Sequence, residues 1–188
     1  HGKGSFSFKT TRAMLANGLI ALCAEEKASS VHITFLPEED WQAIGGGRWL
    51  QRNDIQFHWH NPGYDSFNDF LASLSSQKRK NIRRERERAC ESIRIRRLRG
   101  DEIKARDWDF FFRCYTDTGS RKWGSPYLNR AFFDLLGQRM ADRCVLFVAG
   151  EADGTPLASA LNLIGGEALY GRYWGRIADV PFLHFELC

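Results

Sequence analysis

The chain has 188 residues, 43% of them hydrophobic and 13% aromatic, with a formal net charge of +4. That is enough apolar material for the core of one domain or one and a half, and it points to a globular chain. No stretch approaches the ~20 consecutive apolar residues of a membrane span, and five cysteines without a C-x-x-C pair argue against a disulfide framework or a zinc ribbon.

The cysteines read as buried thiols in a reducing compartment, which sets the expectation of a cytoplasmic protein. The chain begins with His1 and stops at Cys188 inside the apolar run PFLHFELC, so a piece of a longer protein is expected.

In chain order, residues 10–28 are predicted helical, because Ala13, Met14, Ala16, Leu19, Ile20 and Cys23 follow a period near 3.6. SSVHITFL then reads as a strand. PEEDW places Pro37 and three acids at the start of a short helix running to Ile44, which Gly45, Gly46 and Gly47 stop. A second strand is expected in IQFHWH, and Asn61-Pro62-Gly63 marks the best boundary. SFNDFLASL and the basic segment after it read as two helices, followed by the strand SIRIRRL. Two amphipathic helices come next, one burying Trp108, Phe111, Phe112 and Tyr115, the other Leu128, Phe132, Leu135 and Leu136. VLFVA, PLASALNLI and ALYGRYW are three strands joined by turns at Asp153-Gly154 and Gly165-Gly166. A last helix starts at Pro181. Helices followed by a β-meander imply an α/β or α+β layered domain with a mixed sheet.

The charge is local. Gln77 to Arg97 holds ten basic and three acidic residues, a surplus of seven against four for the whole chain, so everything outside it is net negative by three. At ~100° per residue, Arg79, Arg83 and Arg86 fall in one arc, Lys80, Arg84 and Arg88 extend it, and Ile82, Ala89 and Ile93 form a seam beside it. One reading is a solvated helix with Arg83–Glu87 and Arg84–Glu87 pairs. The other is a polyanion site acting through phosphate contacts, for which RNA is a natural partner.

His58 and His60 lie two apart in FHWH, hence on one face of the expected strand. They read as a hydrogen-bonded pair lining the cleft between the two domains, where they would contact substrate, or, with no third ligand nearby, as two metal ligands; no metal is expected. Gln42-x-x-Gly45-x-Gly47 matches the letters of a coenzyme A pyrophosphate loop, but a helix precedes it and a strand is expected after it, which fits a glycine helix stop. Arg172-Tyr-Trp-Gly175-Arg-Ile177 is a second near-match lacking its third small residue. DTGSRKWG gathers Arg121, Lys122 and Trp123, which either stack on and charge-pair with a substrate or simply connect two helices. GRYWG adds Arg172, Tyr173 and Trp174. His184 and Glu186 at the last helix are candidates for a general base. Ser120 lies in no nucleophile elbow, and no Walker loop exists.

The stretches FHWHNPGYDSFNDFLASLSSQKRKNIRRERE, DTGSRKWGSPYL, LASALNLIGGEALYGRYWG and PFLHFEL together resemble the FemAB-like group of the GNAT superfamily, described as peptidoglycan biosynthesis or recognition proteins. The resemblance implies a GNAT-like acyl-CoA N-acyltransferase fold with a mixed sheet flanked by helices. Residues 1–62 would be the C-terminal part of a first GNAT-like domain, and 63–188 most of a second. It also implies acyl or aminoacyl transfer to an amine, with an aminoacyl-tRNA or an acyl-CoA as donor and a peptide or amine acceptor in cell-wall peptide modification. Fem relatives carry a basic helix similar to Ser76-Lys78-Lys80-Ile82-Arg83-Arg84. Lys78, Arg79, Lys80, Arg83, Arg84, Arg121 and Lys122 would then hold phosphates of tRNA or of a smaller phosphate-bearing molecule, and the acyl carbonyl would lie by YGRYWG. A coenzyme A-dependent N-acetyltransferase and a non-catalytic module binding nucleic acid or muropeptide are the alternatives.

Overall fold

The computed structural model describes residues 8–121 and 126–188. The chain divides into two compact units, His1–Pro62 and Gly63–Cys188.

In the first unit, helix α1 spans Phe8–Glu25 and helix α2 spans Glu38–Ile44. Arg12 of α1 forms ion pairs with Glu39 and Asp40 in the acidic first turn of α2. Ala13, Ala16 and Ile20 line a small cavity with Ala43, Ile44 and Trp49. Two expectations fail in this unit. SSVHITFL and IQFHWH carry no strand, and the described residues hold only an isolated bridge between Gly46 and Trp49. A strand pattern becomes a strand only when its backbone groups find a ladder, and no partner strand stands beside either segment among the described residues.

The second unit carries the sheet. Helix α3, Phe67–Ser73, is capped by Ser66, whose hydroxyl accepts from the Asp69 N–H, and helix α4, Ser76–Cys90, is capped likewise by Ser75 on Lys78. Strand β1 is Ile93–Arg99, followed by helices α5, Ala105–Arg121, and α6, Arg130–Arg139. Strands β2, Cys144–Glu151, β3, Pro156–Ile164, and β4, Leu169–Arg176, precede the short helix α7, Leu183–Leu187. The expected mixed sheet is instead wholly antiparallel, in the order β1-β2-β3-β4. Two tight turns fix the last three strands as a meander, and β1 joins from across α5 and α6 in the same sense.

Both faces of this sheet are covered, which is why β2 and β3 read as near-continuous apolar runs. On one face Cys144, Leu146, Val148 and Leu161 pack with Trp108, Phe111, Cys114 and Tyr115 of α5 and Phe133 of α6. Phe111 and Phe133 meet edge to face at 5.2 Å. The residue α6 buries is Phe133; Phe132 and Leu135, expected inside, are 41% and 47% exposed, because the helix turns them past the sheet. On the other face Ile93, Ala149, Ala158 and Ala160 pack with Leu183 and Leu187 of α7. No helix among the described residues is long and apolar enough to cross a membrane.

Candidate functional site

The basic helix splits by face. Arg79, Ile82, Arg86 and Ala89 follow an i, i+3, i+7, i+10 spacing, so they form one stripe. Arg79 is half-buried and donates to the Leu71 and Ala72 carbonyls at 3.4 and 3.3 Å, satisfying the open end of α3. Arg86 lies 4.3 Å from the Phe67 ring centroid and forms an ion pair with Glu186 of α7 at 2.8 Å. Arg79 and Arg86, placed by the sequence in the wet arc, therefore belong to the docking seam. Lys78, Lys80, Arg83, Arg84 and Arg88 stay exposed. None of them forms an ion pair among the described residues, and the expected Arg83–Glu87 and Arg84–Glu87 pairs are not made. A carboxylate-poor helix leaves these five charges for solvent or for an external anion.

A second constellation stands on β4. The β3–β4 ladder matches Leu161 with Tyr173 and Asn162 with Gly171, so Arg172 is the extra residue of a β-bulge. Tyr173 packs against the α5 face and Trp174 against the α7 face. The bulge frees Arg172 to lie over the Tyr173 ring at 4.3 Å and to donate to the Tyr127 hydroxyl at 2.9 Å. The two phenol oxygens, Tyr127 and Tyr173, are 2.5 Å apart. Burial, and then the bond to Tyr127, raises Tyr173 above the ordinary tyrosine value. The same bond, with the charge and hydrogen bond of Arg172, lowers Tyr127. Tyr115 meets the Tyr173 ring edge to face at 5.0 Å and accepts from the Leu128 N–H at 3.2 Å, anchoring the segment that carries Tyr127. Asn129 then caps α6 by accepting from Phe132 N–H.

The remaining candidates fall apart into separate places. Arg121 pairs with Asp117 and donates to the Arg176 carbonyl at 3.0 Å, tying α5 to the end of β4. Lys122 and Trp123 lie outside the described residues. His184 packs on Trp174 with ring centroids 4.9 Å apart, on the sheet face opposite Tyr173. Glu186 is held in an ion pair by Arg86.

His58 and His60 sit on no strand; their rings are 6.2 Å apart and His58 Nε2 reaches Gln56 Oε1 at 3.3 Å, so neither a shared strand face nor a mutual hydrogen bond exists. No cluster of three or more His, Cys, Asp or Glu among the described residues could hold a metal ion.

Both phosphate-loop matches resolve into packing. Gln51 donates to the Trp41 carbonyl at 2.9 Å across Gly45, where any side chain would collide with it. Gly46 and Gly47 take positive φ to turn the chain. Arg172 to Gly175 is strand, not loop. Gly175 is required because an added Cβ would stand 2.2 Å from the Cys114 carbonyl oxygen.

Sequence reasoning missed Tyr127. Its only signals were the neighbouring Pro126 and the capping Asn129, which place it on a short tether but say nothing of β4. Comparison with curated proteins gives no match. The family comparison does: residues 4–188 match the FemAB-like family, described as peptidoglycan biosynthesis/recognition. With almost the entire chain covered, the match accounts for both the basic helix and the sheet, and the chain belongs to the FemAB-like family.

Proposed function

We propose that the chain is part of an acyl or aminoacyl transferase that joins an acyl group to an amine of a cell-wall peptide, its second unit being a GNAT-like domain. The observation that carries this reading is the set of five exposed cations on α4, Lys78, Lys80, Arg83, Arg84 and Arg88, without a carboxylate partner among the described residues. A helix keeps such a set when an anionic partner offsets the repulsion, and a phosphate-bearing donor such as tRNA fits it. In this reading Arg121, at the end of α5, and Lys122 and Trp123, which follow it in the sequence, add substrate contacts, and the acyl carbonyl lies by Tyr170 to Gly175. The site has to align amine and carbonyl, remove a proton from the amine, and hold the oxyanion of the tetrahedral intermediate.

The test is filter binding of aminoacylated tRNA to the full-length protein over a salt series, beside a transfer assay to a muropeptide amine. Replacing Lys78, Lys80, Arg83 and Arg84 together by Gln is expected to weaken binding and to reduce the log–log salt slope by about three, at roughly 0.7 to 0.9 per lost phosphate contact. Wild-type protein with no affinity at low salt would sink the tRNA-dependent form. Binding that never leads to transfer would favour a recognition module.

A further inference from the structure

Four acidic or imidazole groups around β4 are already engaged. Asp117 is paired with Arg121, Asp179 with Arg176, Glu186 with Arg86, and His184 rests on Trp174. Arg172, by contrast, has no carboxylate partner among the described residues, and its polar contact is the Tyr127 oxygen at 2.9 Å. That oxygen accepts from Arg172 and lies 2.5 Å from the Tyr173 hydroxyl, while the Tyr127 side chain remains mostly in solvent, the residue being 72% exposed. A phenol oxygen that receives a hydrogen bond from a cation, with a second phenol in reach to donate to it once it ionises, is arranged to carry negative charge. The exposed phenol stands beside β4, where the acyl group is proposed to lie.

We propose that Tyr127 is the proton acceptor for the attacking amine, with Arg172 and Tyr173 as its positioning residues. The inference rests on the acyl-transfer reading above for the identity of the amine, but not for the state of the phenol. In the step, the ammonium R–NH3+ meets the Tyr127 phenolate. One N–H bond breaks, an O–H bond forms at Tyr127, and the nitrogen recovers its electron pair. The free amine then forms the N–C bond to the acyl carbon of an ester or thioester donor. The C–O or C–S bond breaks with its electron pair, and the second amine proton goes to the departing oxygen or sulfur. Atoms and charge balance without a further reactant. Among the described residues, the charged and titratable groups facing Tyr127 are Arg172 and Tyr173 from β4, with Tyr115 of α5 behind Tyr173.

The deciding experiment is a spectrophotometric tyrosinate titration of the full-length protein and of its Tyr127→Phe, Arg172→Gln and Tyr173→Phe variants. Circular dichroism checks that each is folded, and the exposed position of Tyr127 makes Tyr127→Phe the safest of the three. The expected result is one tyrosine ionising at lower pH than the rest, absent in Tyr127→Phe and moved to higher pH in the other two. A Tyr127 that ionises with the bulk of the tyrosines, near ~10, overturns the proposal.

The second readout is transfer from alanine-charged tRNA to a lysine-containing muropeptide. Tyr127→Phe is expected to lower kcat by about 100-fold or more and to abolish the acid limb of the pH–rate profile, with KM for the tRNA unchanged. An unchanged kcat and profile also overturns the proposal, while leaving the transferase reading intact. Wild-type protein that transfers nothing ends the transferase reading and the amine role with it, whatever the titration shows.

Discussion

Cys114 and Cys144 sit fully inside the core between α5, α6 and the sheet. Burial pushes Cys114 up to about 12 and, with a contribution from Asp142, Cys144 up to about 11, both from an ordinary 9.0. Thiolate is the reactive form, so iodoacetamide at neutral pH is expected to leave both unmodified in the folded protein; mass mapping of the alkylated sites checks it. The sign of the pH effect follows from linkage: a thiol whose folded value lies above its unfolded value stabilises the fold fully below that unfolded value and loses the contribution as pH rises. The urea midpoint is therefore expected to fall as pH climbs from 9 towards 12, and Cys114→Ala is expected to flatten that fall. A midpoint insensitive to pH over this range would contradict it. At this scale the sequence was readable at Trp108, Phe111 and Tyr115, buried as expected, and not at Phe132 and Leu135, which stay exposed. It misled at Arg79 and Arg86, whose spacing with Ile82 and Ala89 marked a docked stripe, because long cationic side chains can run along a buried seam and place only their heads on carbonyls or a carboxylate.

At the scale of elements, β4 is held against α5 by Gly175, whose added Cβ would meet the Cys114 carbonyl oxygen at 2.2 Å and Thr118 Oγ1 at 2.8 Å. Its cost as alanine comes from overpacking alone, about 1–3 kcal/mol, and urea denaturation of Gly175→Ala is expected to show it. A neutral result would mean that β4 and α5 separate freely. Phe133→Ala, which empties the point where α6 meets Trp108, Phe111 and Tyr115, is expected to cost more, about 3–5 kcal/mol, in the same assay. The elements of the second unit were legible because each carries its own instruction: a serine cap, a 3.6 period, a two-residue turn. SSVHITFL and IQFHWH carry an alternating pattern too, yet a strand depends on a neighbour that local sequence does not encode. The bulge at Arg172 was hidden for the same reason, since it exists only in the register with β3. Tyr127 therefore could not be linked to Arg172 and Tyr173 from spacing.

Across the whole molecule, residues 50–60 carry neither helix nor strand, and Leu50, Ile55 and Phe57 are 90%, 75% and 96% exposed. Exposed chain without regular hydrogen bonding is where proteases cut first. Trypsin is expected to cleave after Arg48 or Arg52 before any bond within the four strands, a fragment beginning at Asn53 or Trp49 being diagnostic by mass spectrometry. Early cleavage inside the sheet would show that the second unit opens more readily than its core implies. Family membership was legible from long motifs, whereas the division of labour among the cations was not, because it depends on which of them find partners across the fold. That division gives the chain a lopsided field. The surplus of seven sits in Gln77 to Arg97, on α4 and β1, while the remainder is net negative. Ion-exchange chromatography responds to such a patch and not to the overall titration curve. The protein is expected to remain bound to a sulfonate resin even somewhat above its isoelectric point of about 8.9, where a molecule with evenly scattered charge would already have eluted.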